Sequence, residues 1–438
     1  PNELTATEAS RLMASGALSA EELVRACLAR IAERDGDVRA WEYIDPDYAI
    51  EQARNADQER ASGKAVGPLH GVPVGIKDII DTADMPTENG SAIFRGRRTN
   101  HDAACVAALR AAGAVILGKT VTTELANVAP SQTRNPHDLE YSPGGSSAGS
   151  GAAVGDHHVP LALGTQTGGS VIRPASFNGI YGLKPTLGYI PRGGVLLQSH
   201  TLDTVGVYGR SVEDLGLISD ALSAYDPEDQ WSYRGSRGSL ANALAQEPPA
   251  PPRFAFLETP AWDHAEDAAK AAIRGVAERL GKQCEAETLP PPFDRIIDLH
   301  MTVMGSEDLA YYGRYLEATP ELLSPQIRER LEAAKNIRAD QYIEALIKRE
   351  EIYGGLEALL GQYDAVLCLA STGPAPKGFE TTGSAIFNGL WTYLGVPCVT
   401  LPRLEVRGLP RGVQLVGLRG DEGRVLRTAR WLGGFLAG

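Results

Sequence analysis

The stretch PGGSSAGSGAAVGDHHVPLALGTQTGGSVIRPASFNGIYGLKP runs from Pro143 to Pro185, and the rest of the chain is organised around it. It contains two Gly/Ser-rich turns, Gly144-Gly145-Ser146-Ser147 and Thr165-Gln166-Thr167-Gly168-Gly169-Ser170, around small residues and one apolar run. Paired glycines let backbone N–H groups crowd together without Cβ clashes, as in an anion-binding nest or an oxyanion hole. A serine at the end of each turn puts two hydroxyls into the same electropositive space. A flexible linker shares this composition. Against it, a linker would not hold Val154 and the run Val159-Pro-Leu-Ala-Leu163 between its halves.

Working outward, 438 residues suffice for a large core, and length alone suggests two or three domains, although α/β enzymes often run longer as one. With 43% hydrophobic and 22% charged residues the composition is that of an ordinary globular protein. A formal net charge of −13 argues against nucleic acid or an anionic membrane as a partner, since both want a basic face. No apolar run reaches the roughly 20 residues that span a bilayer, and no signal-peptide core follows the N-terminus. The five cysteines are scattered and never form C-x-x-C, which fits reduced thiols in a cytoplasm better than disulfides or zinc. Neither a metal nor another cofactor is expected.

Strand and helix signals alternate along the chain, so an α/β layered core is expected. Ser19 followed by Glu22 is a capping box opening a helix through Leu23, Val24, Cys27 and Ile31. Gly67-Pro-Leu-His-Gly-Val-Pro-Val-Gly-Ile-Lys-Asp78 reads as a short apolar strand delivering Lys77 and Asp78 at its end. Residues 224–253 lapse into Asp, Gly, Ser and Pro and read as a surface connection. Residues 301–360 read as almost wholly helical, a plausible cover over an active site.

Two motif matches point elsewhere. Gly113-Ala-Val-Ile-Leu-Gly-Lys119-Thr120 satisfies the P-loop expression, but its intervening residues are themselves an apolar strand and cannot wrap a phosphate. Gly145-Ser-Ser147-Ala-Gly149 fits the G-x-S-x-G nucleophile elbow. That elbow needs a preceding strand, where Arg134-Asn-Pro-His-Asp138 reads as loop, and a late histidine, for which His264 and His300 have no supporting context. Ser147 stays as the alternative nucleophile. His157 and His158 are adjacent and no H-E-x-x-H exists, so a metal site is not expected. With no histidine base in view, a lysine whose pKa falls on burial can activate a serine, and Lys77 at a strand end is placed for it.

Gly67 to Asp78, Gly118-Lys-Thr120, Ser142-Pro-Gly-Gly-Ser-Ser147 and Gly164-Thr-Gln-Thr-Gly-Gly-Ser170 occur in this order and closely resemble the amidase signature family. The resemblance extends to Leu183-Lys-Pro-Thr186, Leu202-Asp203 followed by Val205-Gly206, and Gly412-Val-Gln-Leu-Val-Gly417, covering nearly the whole chain. It implies one three-layer α/β/α domain, residues 1–438, around a large mixed, twisted sheet. Within it residues 1–65 would be N-terminal helices, 66–223 the catalytic core and 301–360 a helical insertion near the active site. It also implies a Ser–cis-Ser–Lys triad with Ser170 as nucleophile, Ser146 as the bridging cis-serine and Lys77 as base. Backbone N–H groups of Thr167, Gly168, Gly169 and Ser170 would form the oxyanion hole. The family's usual Asp four residues before the nucleophile and Arg two after it are here Gln166 and Ile172, with Arg173 one place later.

The expected activity is hydrolysis of a carboxamide C–N bond in a small-molecule amide through an acyl-enzyme, with anilides, carbamates or esters as alternatives. The glutaminase component of a tRNA-dependent amidotransferase complex is the second reading. The pocket is expected between residues 127–141 and 301–315, lined mostly by apolar or aromatic residues.

Overall fold

A computed structural model describes residues 1–233 and 237–438; residues 234–236, inside the expected connection 224–253, lie outside the described residues. The strands are β1 (Trp41–Ile44), β2 (Pro73–Lys77), β3 (Val115–Thr120), β4 (Leu161–Gln166), β5 (Tyr181–Lys184), β6 (Thr204–Gly209), β7 (Phe254–Leu257), β8 (Cys284–Glu287), β9 (Ala365–Leu369), β10 (Cys398–Val406) and β11 (Leu409–Val416). They form one 11-stranded sheet in the order β1-β3-β2-β4-β6-β5-β10-β11-β9-β7-β8. The sheet is mixed: β2 runs parallel to β3 and β4, and β7 to β8 and β9, while β4–β6, β5–β6 and β10–β11 are antiparallel.

Every residue of β2, β3, β4 and β6 is buried. Strands covered on both faces read as continuous apolar runs, which is why Val115-Ile-Leu and Leu161-Ala-Leu carry no polar alternation. Helices lie on both sides of the sheet, giving the α/β/α layering that the motifs imply.

Local signals hold where capping chemistry sets them. Ser19 and Glu22 close a reciprocal capping box on the helix Ala20–Val38, and Thr5 with Glu8 does the same for Ala6–Ala14. The Gly/Ser-rich stretch contains a helix, Ala148–Gly155, whose residues from Ala148 to Val154 are all buried. Its small side chains are a packing requirement. A Cβ on Gly149 would stand 2.2 Å from the Ala40 carbonyl oxygen and 2.4 Å from the Val121 nitrogen. The long helical region starts earlier than expected, at Ile296, and breaks into Ile296–Ala318, Pro325–Ala334 and Ala339–Leu360. A short helix, Leu240–Leu244, forms within residues 224–253.

The P-loop match is resolved by position. Gly118, Lys119 and Thr120 lie within β3, and the buried Lys119 Nζ donates to the Ile80 and Pro86 carbonyls and to Thr87 Oγ1 while pairing with Asp78 at 3.3 Å. This lysine holds the loop after β2 and reaches no cavity for phosphate. His70 is likewise structural, with Nε2 2.7 Å from the Ala56 carbonyl oxygen.

Candidate active site

Parallel pairing brings the carboxyl ends of β2 and β4 side by side, where ligands gather in open α/β sheets. Lys77 is the last residue of β2 and Gln166 the last of β4, and Ser170 follows on the turn between β4 and the helix Ile172–Phe177. Ser146 stands just before the helix Ala148–Gly155, and the Gly145–Ser146 peptide bond is cis.

Lys77 is fully buried, and its Nζ donates to Ser146 Oγ at 2.7 Å and to Thr165 Oγ1 at 2.8 Å. Burial lowers its pKa from the ordinary 10.5 to about 7, with the nearby Asp203 charge opposing the fall. Asp203 is itself enclosed. Burial raises its carboxyl to about 6, against hydrogen bonds from Ser199 N, Thr167 Oγ1 and Gln198 N and the charge of Arg192.

The turn carrying Ser170 is stapled by a neutral amide. Gln166 Oε1 accepts from Val171 N at 2.8 Å and Ile172 N at 3.0 Å, and its Nε2 donates to Thr392 Oγ1 at 2.9 Å. Thr392 Oγ1 in turn donates to the Gly168 carbonyl at 2.8 Å. Ile172, in place of the family's arginine, is fully buried in the core. Arg173 serves the other serine: its guanidinium donates to the Gly145 carbonyl at 2.6 Å, to Gly383 O at 2.7 Å and to Thr382 Oγ1 at 3.2 Å. The family's charged pair is thus replaced by an amide on the Ser170 turn and a cation on the cis peptide.

Thr167, Gly168, Gly169 and Ser170 all line a cavity of about 450 Å³. Among the described residues no acceptor takes the N–H of Gly168, Gly169 or Ser170. A side chain at position 169 has no room, since its Cβ would stand 2.5 Å from Asn388 Oδ1. Ser147, the alternative nucleophile, is fully buried and exchanges hydrogen bonds with the Thr165 backbone at 3.3 and 3.2 Å, outside the cavity lining.

The apolar wall of the cavity comes from Val128, Ile297, Met301, Met304, Ile386 and Leu390. Among the described residues no Phe, Tyr or Trp side chain lines it. Tyr312 and Tyr315 instead join a separate cluster with Leu125, Ile327 and Leu331, so of the expected walls only Asn127, Val128 and the first turns of the long helix contribute. Two arginines line the cavity, Arg173 and Arg330, and no acid among the described residues does. Arg330 Nε pairs with the buried Asp308 at 2.7 Å, and Asn127 Nδ2 bonds both oxygens of that carboxylate at 3.0 Å.

Sequence reasoning missed Thr165 as the second partner of Lys77, although it lies inside the quoted turn. It also missed Arg330, and it named Asp203 only within the family resemblance and His300 only as a histidine without context, giving neither a place at the site. His300 is buried against Thr167 with Nε2 3.1 Å from that residue's carbonyl oxygen, and burial lowers its pKa to about 4, so it is a neutral donor. Helical periodicity marks His300 only as one more inward-facing position.

The amidase family model matches residues 22–426. A glutamyl-tRNA(Gln) amidotransferase subunit of Chloroflexus aggregans is 33% identical over 97% of this chain and 95% of its own length. Among solved structures, the peptide amidase of Stenotrophomonas maltophilia superposes with a TM-score of 0.87 at 29% identity, covering 99% of this chain and 98% of that one. A 6-aminohexanoate cyclic dimer hydrolase does so at 0.87 and 27%, covering 100% and 98%. The first relative corrects one expectation, that nucleic acid has no place among this protein's partners. Net charge sums over the whole surface, and one member of a complex need not itself present the basic face that its assembly requires. No helix among the described residues is long and apolar enough to cross a membrane. A family model matching nearly the whole chain and full-length superpositions on two amide hydrolases agree on one conclusion: this chain belongs to the amidase signature family.

Proposed function

We propose that the chain is a serine amidohydrolase that cleaves the C–N bond of a small-molecule amide through an acyl-enzyme on Ser170. The observation carrying this reading is the contact of a fully buried Lys77 with Ser146 Oγ, on a cis peptide whose Gly145 carbonyl is held by Arg173, a residue that lines the same cavity as Ser170. Neutral Lys77 takes the Ser146 proton through its nitrogen lone pair, and Ser146 takes the proton of Ser170 as Ser170 Oγ bonds to the carbonyl carbon. The oxyanion is held by backbone N–H groups of the turn Thr167–Ser170, where losing one donor costs about 3–4 kcal/mol. The relay then returns the proton to the leaving nitrogen as the C–N bond breaks. Water attacks the ester carbonyl by the same route, releasing the acid and restoring Ser170.

Carbamates, anilides and esters present the same trigonal carbon and remain in the substrate class. The apolar wall suits a hydrocarbon portion, and Arg330 beside it suits an oxygen acceptor. The same reading takes residues 1–438 as one domain, supported by a strand order that runs unbroken from β1 to β8. Five unpaired cysteines favour a reducing, cytoplasmic setting.

A second reading, the glutaminase component of a tRNA-dependent amidotransferase complex, is favoured by the relative 33% identical to this chain. Hydrolysis by the purified chain across aliphatic amides, anilides, ureas and carbamates separates the two. Turnover without partners supports the free-standing enzyme. Inactivity on every simple amide, with glutaminase activity appearing only in an assembled complex, supports the second reading.

A further inference from the structure

Asp203 lies where the nucleophile turn and the lysine meet. Its Oδ1 accepts from Thr167 Oγ1, and its Oδ2 accepts from the backbone N–H of Gln198 at 2.6 Å and of Ser199 at 2.9 Å. Thr167 is held from its other side by His300 Nε2 at its carbonyl, 3.1 Å away. The first residue of the oxyanion turn is therefore clamped at both its hydroxyl and its carbonyl, by elements more than 30 positions away in the chain.

Among the described residues the charge of Asp203 has no close cationic partner of its own. Arg192, the nearest guanidinium, makes a bidentate pair with Asp229 and gives Asp203 only a hydrogen bond to its backbone carbonyl. From the helix Ile296–Ala318, burial first and the Asp203 charge after it raise the phenols of Tyr311 and Tyr312, and Glu307 accepts from Ser199 Oγ and Thr201 N in the loop whose Ser199 N bonds Asp203. From β2, Lys77 Nζ donates to Thr165 Oγ1 at 2.8 Å, two residues before the Thr167 that Asp203 holds; Thr165, Thr167 and Asp203 line one small cavity, and the Asp203 charge favours the protonated lysine. Asp78, adjacent to Lys77 in sequence, pairs with Lys119 instead.

We propose that Asp203 is a positioning residue of this reaction, holding the oxyanion turn through Thr167 and setting a buried carboxylate on the same Thr165–Thr167 segment that Lys77 bonds. The inference rests on the serine–lysine reading above. Without this charge the buried lysine would be a weaker base, slow to take the proton of Ser146. With it, the amine takes the proton in one half of the cycle and gives it back in the other.

The test is the pH dependence of kcat/KM on a simple amide or carbamate that the enzyme turns over, for the parent, Asp203→Asn, Asp203→Glu and Thr167→Val. Removing the negative charge in Asp203→Asn moves the rising limb to lower pH by about one unit. Asp203→Glu returns the limb toward the parent position. Thr167→Val keeps the charge but cuts the tie, so kcat falls by about tenfold or more with the limb in place and KM little changed. A limb that stays put in Asp203→Asn, or a parental kcat in Thr167→Val, overturns the inference while leaving the serine–lysine reading intact. If Asp203→Asn does not fold, the Thr167→Val and Asp203→Glu measurements still decide. A parent enzyme with no limb that depends on Lys77 overturns both.

Discussion

Lys77 and Asp78 are neighbours in the chain, yet their opposite charges do not meet. Lys77 Nζ reaches Ser146 Oγ at 2.7 Å, while the Asp78 carboxylate pairs with Lys119 at 3.3 Å. Adjacent side chains of an extended strand point apart, so the residue best placed to keep Lys77 protonated is turned away from it.

The first prediction concerns this lysine. Its folded pKa is about 7 against an ordinary 10.5, so kcat/KM rises as pH passes through about 7 and the amine loses its proton. The value belongs to the coupled lysine–serine system. Lys77→Ala removes the limb and most of the activity, and Lys77→Arg does nearly the same because guanidinium does not deprotonate. A pH–rate profile on each variant checks this; near-parental rates in Lys77→Arg would make the lysine a structural cation.

The same lowered pKa sets a stability effect. Below about pH 7 the fold carries a buried ammonium, a penalty that fades as pH rises toward 10.5 because only the unfolded chain stays protonated in that window. The Tm difference between Lys77→Met and the parent should therefore be more favourable to the variant at pH 6 than at pH 9, read by thermal melts. An equal difference at both pH values would mean the lysine stays charged in the folded state.

Ser170 and Ser147 separate by the kind of damage their loss causes. Ser170→Ala should lower turnover by about 10⁴-fold or more with Tm preserved. Ser147→Ala removes a buried hydroxyl bonded to the Thr165 backbone, which costs about 1–3 kcal/mol of stability and leaves the chemistry largely in place. Kinetics and melts on both variants decide, and the opposite pattern would restore the nucleophile-elbow reading.

Gln166→Glu tests the neutral staple. The carboxylate keeps the acceptors for Val171 N and Ile172 N but loses the donor to Thr392 Oγ1, and no cation stands at position 172. Burying that charge should cost about 3 kcal/mol or more. Gln166→Asp combined with Ile172→Arg, which restores the family's charged pair, should recover part of the loss. A fully stable Gln166→Glu enzyme would show that the amide is not needed for its donor.

Chelation provides a separate check. Among the described residues no three His, Cys, Asp or Glu side chains gather as a metal-ligand group. Activity should survive prolonged dialysis against a strong chelator, and its loss with recovery on adding zinc would place a metal in the reaction.

Much of this protein was legible in the order of its residues, for local reasons. Gly/Ser turns, capping boxes and apolar strands are set by neighbours a few positions apart, so the quoted stretch and the Lys77 strand marked the α/β core and the serines and lysine worth weighing, while the triad itself came from the family resemblance. The family resemblance supplied the sheet's scale. What the sequence could not show was company across the fold. Burial on every side, not the motif, lowers the pKa of Lys77. His300 and Arg330 come to the cavity, and Asp203 to the Thr167 hydroxyl behind it, from separate loops and helices, and nothing local in the sequence shows what each of them meets. The aromatic residues of the long helix, expected in the pocket, turn instead toward Leu125 and Ile327, because helical spacing fixes which residues share a face but not what that face meets. Electrostatics and pocket shape are sums over distant groups, and only the tertiary structure brings those groups within range of one another.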